Sequence, residues 1–173
     1  TGARREGEGG SATAFPRGVW GRQVETTEAV APVIIHRREL RQDRGGAGRQ
    51  RGGLGQRIEI GPSGAQDVMA FPSVERILNP ARGRDGGGDG AAGRIRIGPD
   101  GPDLPGKGEF RIPAGQRMIF ETPGGGGQGD PALRSPDALA TDLRDGFVSA
   151  KAAQVQAQAR AQSQAKGSDE APS

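Results

Sequence analysis

Cysteine and tyrosine are absent from this 173-residue chain, which carries a single tryptophan, Trp20, and a single histidine, His36. Without thiols there can be no disulfide, thiolate metal site or cysteine nucleophile, and one imidazole cannot build a histidine-based zinc centre. Aromatic residues make up 3% of the chain, too few for the stacking platforms on which single-stranded nucleic acids lie. No apolar run approaches the roughly 20 residues that cross a bilayer, so no membrane span is expected. The first residues, Thr1 to Arg5, include neither an apolar signal segment nor an initiator methionine, which points to a fragment; it is the absence of cysteine that fits a cytoplasmic location.

Strongly apolar side chains are scarce as well. Leu, Ile, Val and Phe supply 29 of 173 residues, about 17%, below the roughly 20% at which disorder becomes a live reading. Glycine, at 32 residues, and proline, at 13, deepen that deficit. Two features oppose disorder: net charge is only +3, and the apolar residues are clustered. Arginines alternate with acidic residues along the chain, so no basic stripe forms and no nucleic-acid partner is implied.

What is present reads as a loop-rich β domain. Val33 to Leu40 is a β-branched run opened by Pro32. Ile58 and Ile60 alternate with Arg57 and Glu59, and Ile95 and Ile97 with Arg94 and Arg96. Phe110 and Ile112 oppose Glu109 and Arg111, while Met118 and Phe120 oppose Arg117 and Glu121. Period-two alternation of this kind marks strands with one buried face, usually in antiparallel sheets. Clusters of Gly, Pro and Asp between them read as turns. The fold class expected is mainly β: an antiparallel meander or sandwich of about six short strands with long Gly-rich loops, followed by a short C-terminal helix. Residues 1–18 read as an irregular Gly-rich leading segment and 19–131 as the β-rich domain. Residues 132–150 read as a helical appendage, in which Ser135, Pro136 and Asp137 form a helix start and Gly146 an end. The Ala/Gln-rich stretch 151–173 has helix propensity but little apolar stripe, and is expected to be helical or disordered, fraying from Lys166 onward.

Several motifs invite a functional reading. Gly88 to Gly93 matches GxGxxG, but a strand follows it where a dinucleotide site needs a helix. Gly101 to Lys107 resembles the start of a P-loop, yet Pro102 and Pro105 lack the N–H groups that would cradle phosphate. His36, a residue type common as a general base, lies in a strand beside two arginines with no carboxylate to orient it, as a solvated strand residue would. Glu25 and Glu28 form a carboxylate pair suited to acid, base or ligand roles, although surface glutamates near a strand start are ordinary. Arg82 to Gly90 is the most unusual stretch. Its flexible N–H groups, flanked by Arg82 and Arg84, could wrap an anion, or could simply close a hairpin.

Taken in order, the motifs resemble the hydantoinase B / oxoprolinase family. The resemblance rests on Gly2-Ala3-Arg4 with Gly10-Ser11-Ala12, and on Val24-Glu25 with Glu28-Ala29 and Pro32. It continues through Arg38-Glu39-Leu40-Arg41, Gly45 to Arg49, Arg51 to Gly55 and Asn79 to Gly87. Lys107-Gly108, Pro113-Ala114-Gly115, Thr122 to Gly127, Gly129-Asp130-Pro131 and Asp145 to Ser149 complete it. It covers residues 1 to 149, corresponding to the last third of a family member. The chain departs from the family at Arg22-Gln23, at Asp43-Arg44 and at Gln128, where an aromatic is usual and where the change is expected to loosen a buried loop.

The resemblance implies part of an ATP-dependent enzyme that hydrolytically opens a cyclic amide, a lactam or hydantoin, and that is not competent alone. Alternatives are a fragment of an acetone or acetophenone carboxylase-type subunit, or a non-catalytic subunit-interaction module. The implied partners are a hydantoinase A-type subunit, the N-terminal part of the same B subunit and a small lactam substrate. No cofactor or metal is expected in this chain; ATP and a divalent metal would belong to the partner or to the N-terminal part. Combining motif position with chemistry leaves Glu25 and Glu28 as catalytic candidates and Arg4, Arg82, Arg84 and Asp85 as substrate- or anion-binding candidates.

Overall fold

The computed structural model describes residues 1–13 and 21–169. Trp20, positions 14–18 of the expected leading segment and the last four residues of the tail lie outside the described residues. Six strands form: β1 (Val33–Leu40), β2 (Gln56–Pro62), β3 (Val68–Ala70), β4 (Arg94–Ile97), β5 (Phe110–Ile112) and β6 (Met118–Glu121). All pairings are antiparallel. One sheet has the order β1-β2-β6-β4 and the other pairs β3 with β5, so the larger sheet is not a simple meander.

The alternating isoleucines explain this arrangement. Ile58 pairs across β6 with Phe120, which in turn faces Ile95 of β4, and Ile60 aligns likewise with Met118 and Ile97. Together these residues give one apolar face. The smaller sheet contributes Ile112, which joins Ile95 and Met118 in a core where all three are essentially inaccessible. Asp67 fastens the smaller sheet's rim: it accepts the Ala114 N–H at 2.8 Å and pairs with Arg111. Those contacts, the backbone hydrogen bond foremost, hold its carboxyl below the usual range.

The opposite face of the larger sheet is charged but not fully solvated. Ile119 lies there, buried, among Glu59, Glu121 and their arginines, so β6 is covered on both sides rather than one. Arg57 and Arg117 approach Glu59 at 2.8 and 3.4 Å, and Arg37 at 3.6 Å. Burial works against the Glu59 carboxylate, but the Arg57 hydrogen bond and the surrounding positive charge outweigh it, and its pKa falls below the ordinary value. His36 sits exposed at a bulge in β1, where the register with β2 shifts between Ile35 and Arg37.

A second core contains almost no apolar side chains. Arg51 to Gly55 and Gly124 to Gln128 are buried without belonging to any strand. The segment 124–128 runs through the centre and bonds to five neighbouring stretches of chain. Gly124 N–H donates to Ala91, Gly125 N–H to Gly53, Gly127 N–H to Gly88 and Gln128 N–H to Gln50, at 2.8–3.0 Å. In return, Gly125 accepts from Gly46, Gly126 from Ala3 and Gly127 from Arg84, at 2.8–2.9 Å. Successive residues turn to different neighbours, as in packed polyproline-II-like helices with three residues per turn, rather than alternating between two as in a sheet. Glycine is required because the backbones touch. A Cβ on Gly52 would lie 2.0 Å from the Gly125 carbonyl oxygen, and one on Gly125 would lie 2.0 Å from that of Thr1. Of the tracts expected to be turns, Gly45 to Gly48 and Gly52-Gly53 are therefore part of the packed interior of a backbone-bonded bundle, whereas those at 61–64, 98–101 and 113–115 do turn the chain beside strands.

Helices close the ends. α1 (Val24–Val30), which sequence periodicity does not reveal, precedes β1 and has no side-chain N-cap. α2 (Pro136–Arg144) starts as expected, with the Ser135 hydroxyl accepting from Ala138 N–H and Pro136 in its first turn; Gly146 follows it at φ 73°. α3 (Ala150–Asp169) is capped by Ser149, whose hydroxyl accepts from Ala152 N–H at 3.2 Å. It docks through buried Ala153, and Arg160 donates to the Arg134 carbonyl at 3.2 Å.

Candidate functional site

Arg82 and Arg84 meet at one place. Both line a cavity of about 570 Å³ walled by Gly2, Ala3, Arg76 and residues 79–84, with Gly126 and Gly127 of the bundle's central segment. The bundle dictates this geometry. Gly83 is wedged where a Cβ would fall 2.0 Å from the Gly87 carbonyl oxygen, so the side chains of Arg82 and Arg84 are carried on a rigid backbone. Arg84 to Gly87 is a tight turn closed by a 2.9 Å hydrogen bond, with Asp85 at φ 49° and Gly86 at φ 86°, the dihedral signature of a type I′ turn.

That turn answers the question the sequence left open. The N–H groups of Arg84, Gly87, Gly88 and Gly90 donate to other carbonyls of the fold, and Gly83 N–H donates to Asp89 at 2.8 Å. They are committed to the backbone, so the stretch closes a hairpin rather than forming a nest of free N–H groups; what remains for a ligand is the guanidiniums. Asp85 is engaged by the Gln128 side chain at 2.5 Å. Gln128 is itself buried and pairs with Gln50 in both directions, so the loop expected to be loosened is tied down.

The other candidates lie apart from this cavity's walls. Arg4 is exposed in a small turn bridged to Gly7, beside the cavity-lining Ala3. Glu25 is exposed on α1. Glu28, half-buried on the same helix, accepts the Ile35 N–H at 2.8 Å and so fastens α1 to β1. The structure therefore does not bring the glutamates together with the arginines in one cavity.

Sequence reasoning missed Arg76. It is exposed, lines this cavity and two adjoining ones, and has φ 58°, a left-handed conformation uncommon outside glycine. Such a conformation costs about 1–3 kcal/mol and tends to cluster at ligand sites. Its carbonyl is held by the Gly93 N–H at 3.0 Å. Its neighbour Glu75 pairs with Lys107 at 2.7 Å, and Lys107 holds the Glu75 carboxyl below its ordinary pKa. Nothing in the sequence pattern marks position 76, because positive φ in a non-glycine residue leaves no compositional trace.

Among the described residues, no three His, Cys, Asp or Glu side chains converge as a metal ion would require. Nor is any described helix long and apolar enough to cross a membrane.

Comparison with known proteins places this geometry. The profile of the hydantoinase B/oxoprolinase family matches residues 1–131. The chain belongs to that family. Among hydantoinase B/oxoprolinase relatives, the caprolactamase subunit beta of Pseudomonas jessenii is 36% identical over 154 residues, which cover 77% of this chain and 24% of that one. The crystal structure of the ATP-dependent caprolactamase from the same organism superposes with a TM-score of 0.70 at 29% identity, over 88% of this chain and 28% of the other. A nucleotide-free acetone carboxylase shares the fold, with a TM-score of 0.75 at 22% identity over 100% of this chain and 30% of that one. The chain thus spans about a quarter of the length of the curated relatives it matches.

Proposed function

We propose that this chain is the C-terminal part of the B subunit of an ATP-dependent cyclic amide hydrolase, working with a hydantoinase A-type subunit and the N-terminal part of its own subunit. The observation that carries this reading is the likeness, in both sequence and fold, to a lactam-opening, ATP-dependent enzyme across more than three quarters of the chain. The chemistry needs ATP because a resonance-stabilised amide is a poor electrophile. Transfer of the γ-phosphoryl group to the amide oxygen releases ADP and activates the carbon. Water then adds, and the C–N bond breaks with its electrons passing to nitrogen, which takes up a proton. A second water hydrolyses the resulting acyl phosphate to carboxylate and phosphate. ATP and any metal are assigned to the partner or the N-terminal part, and the need for ATP sets the assembly in the cytoplasm.

Within this assembly the chain acts as a rigid wall. A bundle held by backbone contacts between glycines has few rotamers to lose and carries Arg82 and Arg84 on a rigid backbone. Glu28 serves as a structural tie. A carboxylase-type role is the second reading; the acetone carboxylase likeness, over all of this chain and 30% of that one at 22% identity, speaks for fold alone.

The test is reconstitution with an A-type subunit and the N-terminal part of the B subunit, supplied with caprolactam, 5-oxoproline, a hydantoin or acetone plus bicarbonate. Linear amino acid from a lactam, or N-carbamoyl amino acid from the hydantoin, detected by mass spectrometry and dependent on ATP, supports the reading. Carboxylated ketone in its place would transfer the assignment to the carboxylases.

A further inference from the structure

We propose that Arg76, Arg82 and Arg84 form an oxyanion-binding site that takes the phosphoryl group of an activated substrate. The proposal rests on the ring-opening reading for the source of the phosphoryl group, but not for the existence of the site. Three observations carry it. First, the residues walling the 570 Å³ cavity include three arginines and no acidic residue. Second, none of the three arginines forms an ion pair among the described residues, although the chain pairs ten of its other arginines with acids, Arg57, Arg117 and Arg134 among them. The acidic groups closest in sequence are already engaged: Asp85 by Gln128, Asp89 by the Gly83 N–H and Glu75 by Lys107. Third, the backbone supporting the guanidiniums is fixed. Arg82 and Arg84 flank the wedged Gly83, and Arg76 is held in a left-handed conformation with its carbonyl bonded to Gly93.

Three arginines without an ion-pair partner beside a glycine wall favour an anion, and Arg presents its donors in a fork that matches phosphate oxygens. A phosphate dianion, with more charge and more acceptor oxygens than a carboxylate, gains most from three such forks.

The experiment is an NMR titration of the 173-residue chain with inorganic phosphate, with acetate as a parallel carboxylate probe. Phosphate is expected to shift the amides of residues 81–84 and 126–127 saturably, more tightly than acetate does. Arg84→Gln and Arg76→Gln should each weaken phosphate binding by about tenfold, the loss of one charge-assisted contact. Arg117→Gln, on the far sheet face, should leave it unchanged. Non-saturating shifts, or shifts centred on residues 98–101 instead, would overturn the site, and the wild-type map decides this even if a variant folds poorly. Tighter binding of acetate than of phosphate would overturn the phosphoryl assignment. Saturable phosphate binding here, combined with no ring opening by the reconstituted enzyme, would leave the site standing and remove only the hydrolase reading.

Discussion

Arg51 and Asp142, 91 residues apart in sequence, form a buried ion pair at 3.1 Å that joins the glycine bundle to α2. Arg134 reaches the same carboxylate oxygen at 2.6 Å and also contacts Glu8 at 2.9 Å, while the Arg51 guanidinium lies over the Phe147 ring. One acid thus pairs with two buried arginines drawn from different parts of the chain, and Glu8 adds a second negative charge beside Arg134. Asp142→Ala should therefore destabilise the protein by about 3–5 kcal/mol, because it leaves the buried Arg51 guanidinium without an ion-pair partner and Arg134 with Glu8 alone. Urea unfolding monitored by circular dichroism measures this; a loss within the range of an ordinary surface substitution would count against the cluster as a staple.

Close packing of backbones makes a different prediction for the glycines. Gly52→Ala and Gly125→Ala each place a methyl 2.0 Å from a backbone carbonyl oxygen that cannot swing aside, so both should abolish cooperative folding or lower stability by more than about 4 kcal/mol. Gly64 has open space around its Cβ position and no positive φ. Gly64→Ala should be neutral or stabilising by up to about 1 kcal/mol. Thermal melts of the three variants separate a packed bundle from flexible loops.

How much of this was legible in the sequence depended on whether side chains or backbone carried the information. Ile58, Ile60, Ile95 and Ile97 announced their strands because alternation records which side is buried. Val68 to Ala70 is too short to alternate visibly, and Val24 to Val30 lacks a capping side chain, so β3 and α1 left no signal. The glycines of 45–48 and 52–53 read as turns because a turn and a packed bundle both demand a missing Cβ. Only the hydrogen-bond partners distinguish them, and those lie tens of residues away. The candidate site was half visible: Arg82 and Arg84 stood out against their glycines, whereas Arg76 joins them solely through tertiary structure.

Acid sensitivity follows from Glu59. Its carboxyl titrates lower in the folded chain than in the unfolded one, where the value is about 4.3. The unfolded chain therefore binds the proton more readily. The stabilisation is fully present above that unfolded value and is lost as pH falls through the lower folded one. Glu59→Gln should cost about 1–3 kcal/mol at neutral pH. That difference from wild type should shrink toward zero on acidification below the unfolded value, as read from denaturant midpoints across a pH series.

The two glutamates on α1 should behave unequally. Glu28→Ala strands the half-buried Ile35 N–H and should lower stability by about 1–3 kcal/mol, whereas Glu25→Ala should change it by less than about 0.5 kcal/mol. In the reconstituted enzyme neither should alter turnover once the protein is folded. A large loss of kcat at unchanged stability would return the pair to the catalytic machinery.

The most direct test of the central claim measures lactam consumption and ADP release together in the reconstituted enzyme, with this chain present, omitted or supplied alone. Ring opening coupled to ADP release only when the chain accompanies its partners is the predicted result. Opening at an undiminished rate without the chain, or by the chain alone without ATP, would contradict it.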